Sequence, residues 1–265
     1  MCGIAGYSLH PASIVNRTLA AQALLAGIAE RGADAVGYAF RGKDATVSVH
    51  KRRSGASALL DEVHVPANAT QVLVHVRDYT KGHPTIEANN HPIRHGNVVG
   101  IHNGIIVNDD AIFARYGFER ATPEMTVDSE AIFALAEHAD GSSEALEELH
   151  GAMATGWLDE RVPSTLFLAR AVGRPLWIGT TGSELFFAST RDALEVLERT
   201  IRLGLRKREL DEGMLLRVEE SRVASVERFV PDRSYVEETI LPSVRAPHEG
   251  RSCIQRLAAI ALAAA

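Results

Sequence analysis

The sequence has few cysteines and no long apolar run, and each shortage excludes a class of protein. Only Cys2 and Cys253 occur among 265 residues, too few for the disulfide framework of a small secreted domain. No apolar stretch reaches the roughly 18 to 20 residues of a membrane helix, and the N-terminus lacks a signal peptide. We therefore predict a cytoplasmic protein with no membrane partner. A single Cys2–Cys253 bridge stays open as an alternative.

Positive charge is also scarce. The formal net charge is -6, and the densest basic segment is only Lys51, Arg52 and Arg53. Because proteins bind phosphate backbones with clustered positive charge, we expect no nucleic-acid partner. Hydrophobic residues make up 46% of the chain, so it can bury a sizeable core in one large domain or two small ones.

Apolar periodicity and turn residues predict a mixture of strands and helices. Strands are expected at residues 4–9, 36–40, 46–50, 71–76, 98–101, 165–169, 176–178, 185–188 and 214–218, and helices at 13–30, 56–63, 127–138, 143–150 and 253–265. Because strands and helices alternate in blocks, the pattern favours layered α and β structure over regular βαβ repeats.

Cys2 is the most informative residue of the chain. Once Met1 is removed, a thiol and a free α-amine belong to the same terminal residue. An unperturbed α-amine titrates at about 7.7 to 8.0, close to the pH at which a general base works best. The terminus can therefore supply a nucleophile together with its base.

Five separated motifs resemble those of one family, the class II glutamine amidotransferases, whose glutaminase domains are N-terminal-nucleophile hydrolases. The motifs are MCGIAGY, ERGADAVGYAF, HVRDYTKG, GIHNGIIVND and VDSEAIF. Their order and wording are most similar to the glutaminase domain of glucosamine-6-phosphate synthase. The resemblance implies an α+β fold, the four-layer αββα sandwich of the N-terminal-nucleophile hydrolases. It extends to about Asp232, which predicts a glutaminase domain over residues 2–232 and a C-terminal tail over residues 233–265.

The resemblance also implies a reaction, the hydrolysis of L-glutamine to glutamate and ammonia. Cys2 would attack the side-chain amide and form a glutamyl thioester, and the terminal amine would take and return the proton. Asn103 and Gly104 match the oxyanion hole of the family. From these two residues alone, Asn103-Gly104 is more typical of a hairpin turn between apolar runs, and only the other motifs favour the oxyanion hole. No metal ion or other cofactor is expected.

Further residues match the positions that hold the substrate and the terminus. Arg77, supplemented by Thr80, matches the clamp for the substrate α-carboxylate, and Asp128 matches the acid that receives the α-ammonium. Arg31 and Gly32 match positions that help to hold the terminal amine. Simpler interpretations are a surface arginine for Arg77, a helix N-cap for Asp128 and a helix-ending turn for Arg31-Gly32.

Two features depart from the family. Asp78 and Lys81 stand where members often have an aromatic residue and a histidine, and Asp78 would weaken glutamine binding by charge repulsion unless Lys81 offsets it. No acceptor domain follows the motifs, since the last 33 or so residues are fewer than a domain usually needs. We therefore expect the ammonia to pass to a separate synthase subunit.

Three other interpretations remain open. A metal site is conceivable because five histidines fall in a short span: His75, His83, His91, His95 and His102. Against it, the sequence lacks an HExxH motif and paired cysteine ligands. The other two are a non-catalytic binding or regulatory module with the same fold and an amide hydrolase that acts on another substrate.

Overall fold

The structure, a computed structural model, describes residues 2–237 and 242–263. The strands of this part are β1 (Gly3–Leu9), β2 (Ala35–Arg41), β3 (Val47–Arg52), β4 (Gln71–Arg77), β5 (Ile93–His95), β6 (Val98–Ile106), β7 (Gly151–Asp159), β8 (Thr165–Arg170), β9 (Trp177–Thr180), β10 (Glu184–Ala188), β11 (Arg206–Glu209), β12 (Met214–Glu219) and β13 (Arg222–Arg228). The helices are α1 (Arg17–Ile28), α2 (Asp109–Tyr116), α3 (Glu130–His138), α4 (Arg191–Ile201) and α5 (Pro247–Ala263). Among them, no helix has the length and apolar character needed to cross a membrane.

The strands form two antiparallel sheets. Sheet A has the order β11, β9, β10, β1, β4, β2, β3, and sheet B has the order β13, β12, β8, β7, β6, β5. Strand β1 lies at the centre of sheet A, hydrogen-bonded to β10 on one side and β4 on the other. The residue that precedes β1, Cys2, is therefore attached to the middle of a sheet.

Three apolar cores separate four layers. One core lies between sheet A and helices α1, α4 and α5, a second lies between the two sheets, and a third lies between sheet B and helices α2 and α3. Strands β1, β4 and β7 are buried along their whole length because both faces of each sheet are covered. The expected αββα sandwich is confirmed.

Helix α1 has apolar residues on nearly all sides because sheet A and helices α4 and α5 pack around it. Eight of its twelve residues are buried, as expected of a helix that packs between a sheet and other helices. Its first turn is capped by Asn16, whose side chain accepts a hydrogen bond of 3.0 Å from the Leu19 N–H. A 3₁₀ turn, Ala29–Arg31, follows at its end.

Two predicted helices are wrong. The segment expected as a helix at 56–63 forms two 3₁₀ turns, Ala56–Ala58 and Leu60–Glu62, and the segment at 143–150 forms one, Glu144–Glu148. Each stretch is only about two turns long, and a short helix does not recover the cost of nucleation. Local tertiary contacts instead fix these stretches as tighter turns.

The alternative interpretation of Asn103-Gly104 as a hairpin turn is also wrong. Strand β6 continues through both residues to Ile106, and β7 pairs with it along its full length, with Asn103 opposite Ala154 and Gly104 opposite Met153. The continuous partner strand satisfies the backbone groups that a turn would have left free. Both residues consequently lie in the interior of sheet B.

The C-terminal tail packs through helix α5 on helix α1 and on the 3₁₀ turn Ala29–Arg31. This helix begins at Pro247, earlier than the predicted start at residue 253, while residues 264 and 265 of the prediction lie outside the described residues. Cys253 is fully buried against the core formed by α1, and both Cys253 and Cys2 are free. The alternative of a Cys2–Cys253 bridge is therefore wrong. The domain boundary at residue 232 stays a prediction.

We expect Gly100→Ala to destabilise the protein by about 1 to 3 kcal/mol, the usual cost of overpacking a core. A Cβ atom at Gly100 of β6 would lie 2.0 Å from Cε1 of Phe133, which α3 packs onto the sheet. Urea denaturation measures the loss. Gly182→Ala is the control, since its Cβ would meet no atom within 4 Å. Equal midpoints for the two variants would contradict this packing.

Candidate active site

Three chain segments meet at one edge of sheet A. The antiparallel pairing sets Gly3 of β1 opposite Val76 of β4, and Ala35 of β2 opposite Arg77. The start of β1, the end of β4 and the loop that enters β2 therefore converge. This register brings together Cys2, the Arg31–Asp34 segment and Arg77, which are far apart in the sequence.

The Cys2 side chain is partly buried and points at the end of β4. Its thiol donates to the carbonyl oxygen of Asp78 at 3.4 Å, and Arg31 Nε donates to the carbonyl oxygen of Cys2 at 2.8 Å. Burial raises the pKa of the Cys2 thiol above its ordinary value. The thiol is therefore protonated near neutral pH and needs a base before it can act as a nucleophile.

Gly32 allows a close approach between the turn that holds Cys2 and the end of β4. A Cβ atom at Gly32 would lie 2.4 Å from both the carbonyl carbon and the carbonyl oxygen of Arg77, a position that only glycine accepts. The Asp34 N–H donates to the same Arg77 oxygen at 3.0 Å. The helix-ending turn expected here exists, and the same residues also support the terminus.

Arg77 is buried, so its interpretation as a surface arginine is wrong. Its side chain is 2% exposed. Nη1 donates to Asn90 Oδ1 at 2.6 Å, and Nη2 donates to the carbonyl oxygens of Lys81, at 2.9 Å, and Gly82. Burial lowers the pKa of Arg77, while the loop carbonyls around it fix the plane of the guanidinium.

Asp128 is a buried carboxyl group held by β6 rather than a helix N-cap. The residue that precedes α3 is Ser129, and Asp128 Oδ2 accepts a hydrogen bond of 2.7 Å from the Ile106 N–H. Asp128 is 3% exposed, and burial raises its pKa to about 6. The N-cap interpretation is therefore wrong, and the carboxyl group is available to the cavity.

Asn103 and Gly104 lie side by side in β6. Asn103 is fully buried, and its amide nitrogen and oxygen both lack a hydrogen-bond partner among the described residues. Gly104 has φ +152°, and a Cβ atom there would lie 1.8 Å from the Ala152 carbonyl oxygen. Buried amides are normally bonded, so the free Asn103 amide needs an explanation.

The candidate residues surround one cavity. Cys2, Arg77, Thr80, Gly104 and Asp128 line it directly. Asn103 precedes Gly104 in the same strand, and Arg31 and Gly32 support the cavity from behind through their contacts with Cys2 and Arg77. The further lining residues are Asp78, Tyr79, Lys81, His91, His102, Val127 and Ser129, of which Tyr79, Val127 and Ser129 were not considered as site residues from the sequence.

Three of the five clustered histidines lie buried beside the cavity. His75 stacks on His91 with ring centroids 4.2 Å apart, and His75 Nε2 lies 3.1 Å from the His102 carbonyl oxygen. Burial lowers the pKa of His75 and of His102 to about 3, and that of His91 well below its ordinary value. These rings are therefore neutral at pH 7. In the described part of the chain, no group of three or more His, Cys, Asp or Glu side chains could hold a metal ion.

Lys81 does not offset the charge of Asp78. Its ammonium lies 2.7 Å from Asp109 Oδ1 and 3.1 Å from Asp110 Oδ2. Arg245, just before α5, instead pairs with Asp78, with its Nε 3.2 Å from Oδ2. This pair could not be predicted from the sequence, because 167 residues separate its members.

Comparison with known proteins agrees with this geometry. The family model of the glutamine amidotransferase domain matches residues 80–196. Glutamine–fructose-6-phosphate aminotransferase of Shigella flexneri is 33% identical over 207 residues, which are 73% of this chain and 32% of the relative. The enzyme of the same name from Chlorobaculum tepidum is 32% identical over 221 residues, 76% of this chain and 34% of the relative.

Solved structures share the fold. Glutamine phosphoribosylpyrophosphate amidotransferase of B. subtilis superposes with a TM-score of 0.65 at 20% identity, over 86% of this chain and 49% of that one. A glutamine aminotransferase class-II domain protein from Silicibacter pomeroyi superposes with a TM-score of 0.55 at 18% identity, over 87% of this chain and 100% of that one. The chain carries a class II glutamine amidotransferase domain.

The chain is similar to the amidotransferase domain of the larger relatives and not to their whole length. The chain spans about a third of the length of the curated relatives it matches. Its domain has the N-terminal-nucleophile hydrolase fold, and domains of this kind use glutamine and pass ammonia to an acceptor domain.

We expect Asp128→Asn to stabilise the ligand-free amidotransferase domain at pH 8. The pKa of about 6 exceeds the value of about 3.9 for an exposed aspartate. The folded state therefore binds the proton more tightly, and wild-type stability falls as the pH rises from about 4 to 6. Asparagine still accepts from the Ile106 N–H and carries no charge, so the gain at pH 8 is on the order of 2 kcal/mol and vanishes near pH 4.

Urea denaturation at the two pH values measures this difference. Asp61→Asn is the control, because Asp61 is half exposed in a surface pair with Arg256 and its replacement leaves no buried charge behind. A gain for Asp128→Asn of the same size at both pH values would contradict the account.

Proposed function

We propose that the protein hydrolyses L-glutamine to glutamate and ammonia through a thioester on Cys2. One observation carries the proposal: a single cavity is lined by a thiol, a buried guanidinium and a buried carboxyl group, from Cys2, Arg77 and Asp128. An α-amino acid carries a carboxylate, opposite in charge to Arg77, and an ammonium, opposite in charge to Asp128. The charges that line the cavity are therefore complementary to those of an amino acid whose side chain reaches the thiol.

Recognition of the substrate follows from the two buried charges. Arg77 binds the α-carboxylate, for which a planar guanidinium is the best partner, and the exposed Thr80 at the mouth of the cavity adds a hydroxyl or a backbone contact. Asp128 binds the α-ammonium, and that cation lowers the pKa of Asp128 toward its ordinary value in the complex. The negative charge of Asp128, which is unfavourable in the empty site, thus becomes favourable when the substrate ammonium binds.

The base is the α-amine of Cys2, exposed by removal of Met1. The neutral histidines beside the cavity support this assignment, since groups with a pKa of about 3 are poor proton acceptors at pH 7. Arg31 and Gly32 hold the terminal residue through the contacts described above. The amine acts directly or through a water molecule.

The reaction balances in two steps. The Cys2 sulfur forms a bond to the amide carbon, the C–N bond breaks, and the amine transfers the thiol proton to the departing nitrogen, which leaves as ammonia. Water then attacks the thioester carbon, the C–S bond breaks, and the sulfur recovers a proton as glutamate departs. The enzyme returns to its starting state.

Asn103 and Gly104 stabilise the oxyanion of each tetrahedral intermediate. Asn103 offers its side-chain N–H and Gly104 its backbone N–H. The unpartnered Asn103 amide supports this role, because a donor held free of protein partners is ready for charge that develops only in the reaction.

We further propose that the ammonia is used by an acceptor domain on a separate polypeptide. The chain matches about a third of each larger relative, and domains of this kind pass their ammonia to an acceptor domain. Affinity purification from the native cell should recover a second polypeptide that makes a glutamine-dependent product in the mixture. Exclusive recovery of the chain alone would contradict this part.

A glutaminase assay of the protein purified without Met1 tests the function directly. We expect glutamate and ammonia in equal amounts from the wild type and none from Cys2→Ala, because the variant keeps the terminal amine but lacks the nucleophile. Intact mass establishes which terminus each sample carries. Equal rates for the two proteins would contradict the proposal and favour the non-catalytic module, while turnover of other amides but not glutamine would favour a different substrate.

We expect Asn103→Ala to lower kcat about 10²- to 10³-fold, the usual loss of one oxyanion donor. The KM for glutamine should change little, since Asn103 binds charge that is absent from the ground state. Asn97→Ala is the matched control on the exposed turn before β6, where the Asn97 side chain donates to Glu137. A kcat for Asn103→Ala within about twofold of the control would remove Asn103 from the oxyanion hole.

A further inference from the structure

We propose that Arg245 is a positioning residue for this reaction: it neutralises Asp78 beside Arg77 and so keeps the cavity able to bind the carboxylate of an amino acid. The inference rests on the proposed function and adds a contribution of the C-terminal tail to it. Asp78 directly follows β4, and Arg245 lies two positions before the start of α5.

Asp78 is in contact with the reaction centre through its backbone. Its carbonyl oxygen accepts the hydrogen bond from the Cys2 thiol, and Asp78 lines the same cavity as Arg77. Its carboxylate is 16% exposed. A second carboxylate, that of Asp34, accepts from the Tyr79 N–H at 2.9 Å. The carboxylates of Asp78 and Asp34 thus lie beside the end of β4, where Arg77 would bind the carboxylate of the substrate.

Arg245 supplies the opposite charge at this point. Its Nε lies 3.2 Å from Asp78 Oδ2 and 3.4 Å from Oδ1. Lys81, three residues further along the chain, is engaged by Asp109 and Asp110. The guanidinium of Arg245 therefore reduces the negative potential of Asp78 at a position where the sequence departs from its family.

The tail that carries Arg245 is anchored independently of the guanidinium. The backbone N–H groups of Arg245 and Ala246 both donate to the Glu30 carbonyl oxygen, at 2.9 and 2.8 Å. Glu249 accepts from the Ser57 N–H at 2.7 Å, and Cys253 is fully buried in the core. Removing the Arg245 side chain therefore changes the charge at Asp78 without undocking α5.

The anchor also reaches the nucleophile. Glu30 directly precedes Arg31, whose Nε holds the Cys2 carbonyl oxygen. The tail consequently contacts both the turn that supports the terminus and the acid beside the substrate clamp. Its contribution through Arg245 is electrostatic, and its contribution through the backbone is structural, so the two can be separated by mutation.

Steady-state kinetics of the full chain tests the proposal. Arg245→Ala should raise the KM for glutamine about three- to tenfold with kcat changed less than about twofold, as expected for a charge that affects substrate binding and not the chemical step. Arg245→Lys keeps the charge and should stay close to wild type. The double variant Arg245→Ala/Asp78→Asn removes both charges and should restore the KM. High salt should shrink the defect of Arg245→Ala.

Arg256→Ala is the matched control, since Arg256 pairs with Asp61 at 2.6 Å on the surface of the same helix, and its KM should equal that of the wild type. An unchanged KM for Arg245→Ala in an active enzyme would overturn this inference and leave the proposed function intact. A raised KM that Asp78→Asn fails to restore would also overturn it, because Arg245 would then be a structural anchor. A wild type no more active than Cys2→Ala would overturn both.

Discussion

A residue at a chain terminus is ordinarily mobile, and a nucleophile there can work only if its backbone is fixed. In this protein the constraint is provided by β1, the central strand of sheet A, which begins one residue after Cys2. Arg31 holds the Cys2 carbonyl oxygen, and Gly32 lies against the peptide after Arg77. The rest of the site depends on this arrangement, because each other group is useful only at a fixed distance from the sulfur.

The site is maintained at a cost in stability. Arg77 and Asp128 are buried charged groups, and the amide of Asn103 is buried without a partner among the described residues, a defect that typically costs about 1 to 3 kcal/mol. The three cores of the four-layer sandwich offset that cost. Buried charged groups that line one cavity, as Arg77 and Asp128 do, are typical of a site organised for a ligand.

Much of this could be predicted from the sequence, for identifiable reasons. Buried strands such as β4 are rich in β-branched residues, and the motifs around Cys2, Arg77 and Asn103 indicated the family and hence the four layers. Interpretations based on local patterns alone were wrong where tertiary contacts determine the structure. Asn103-Gly104 has the composition of a turn, but its pairing with β7 makes it strand interior.

Long-range contacts were the part that the sequence could not provide. Asp128 has the position of a helix cap, and only the fold shows that its carboxylate is engaged by Ile106 of β6. Asp78 suggested a repulsive charge, but its partner Arg245 lies in a tail that carried no motif. Similarly, His75 and His91 suggested metal ligands until their stacking and burial were known. In each case, pairing across layers determines the chemistry of the residue.

The most direct test of the central claim is to trap the covalent intermediate. The enzyme is mixed with glutamine, quenched in acid within one turnover and digested, and the N-terminal peptide is analysed by mass spectrometry. The account predicts a peptide that begins at Cys2 and carries a glutamyl group on its sulfur. A glutamyl group on any other residue, or an active protein whose terminal peptide still begins at Met1, would contradict it.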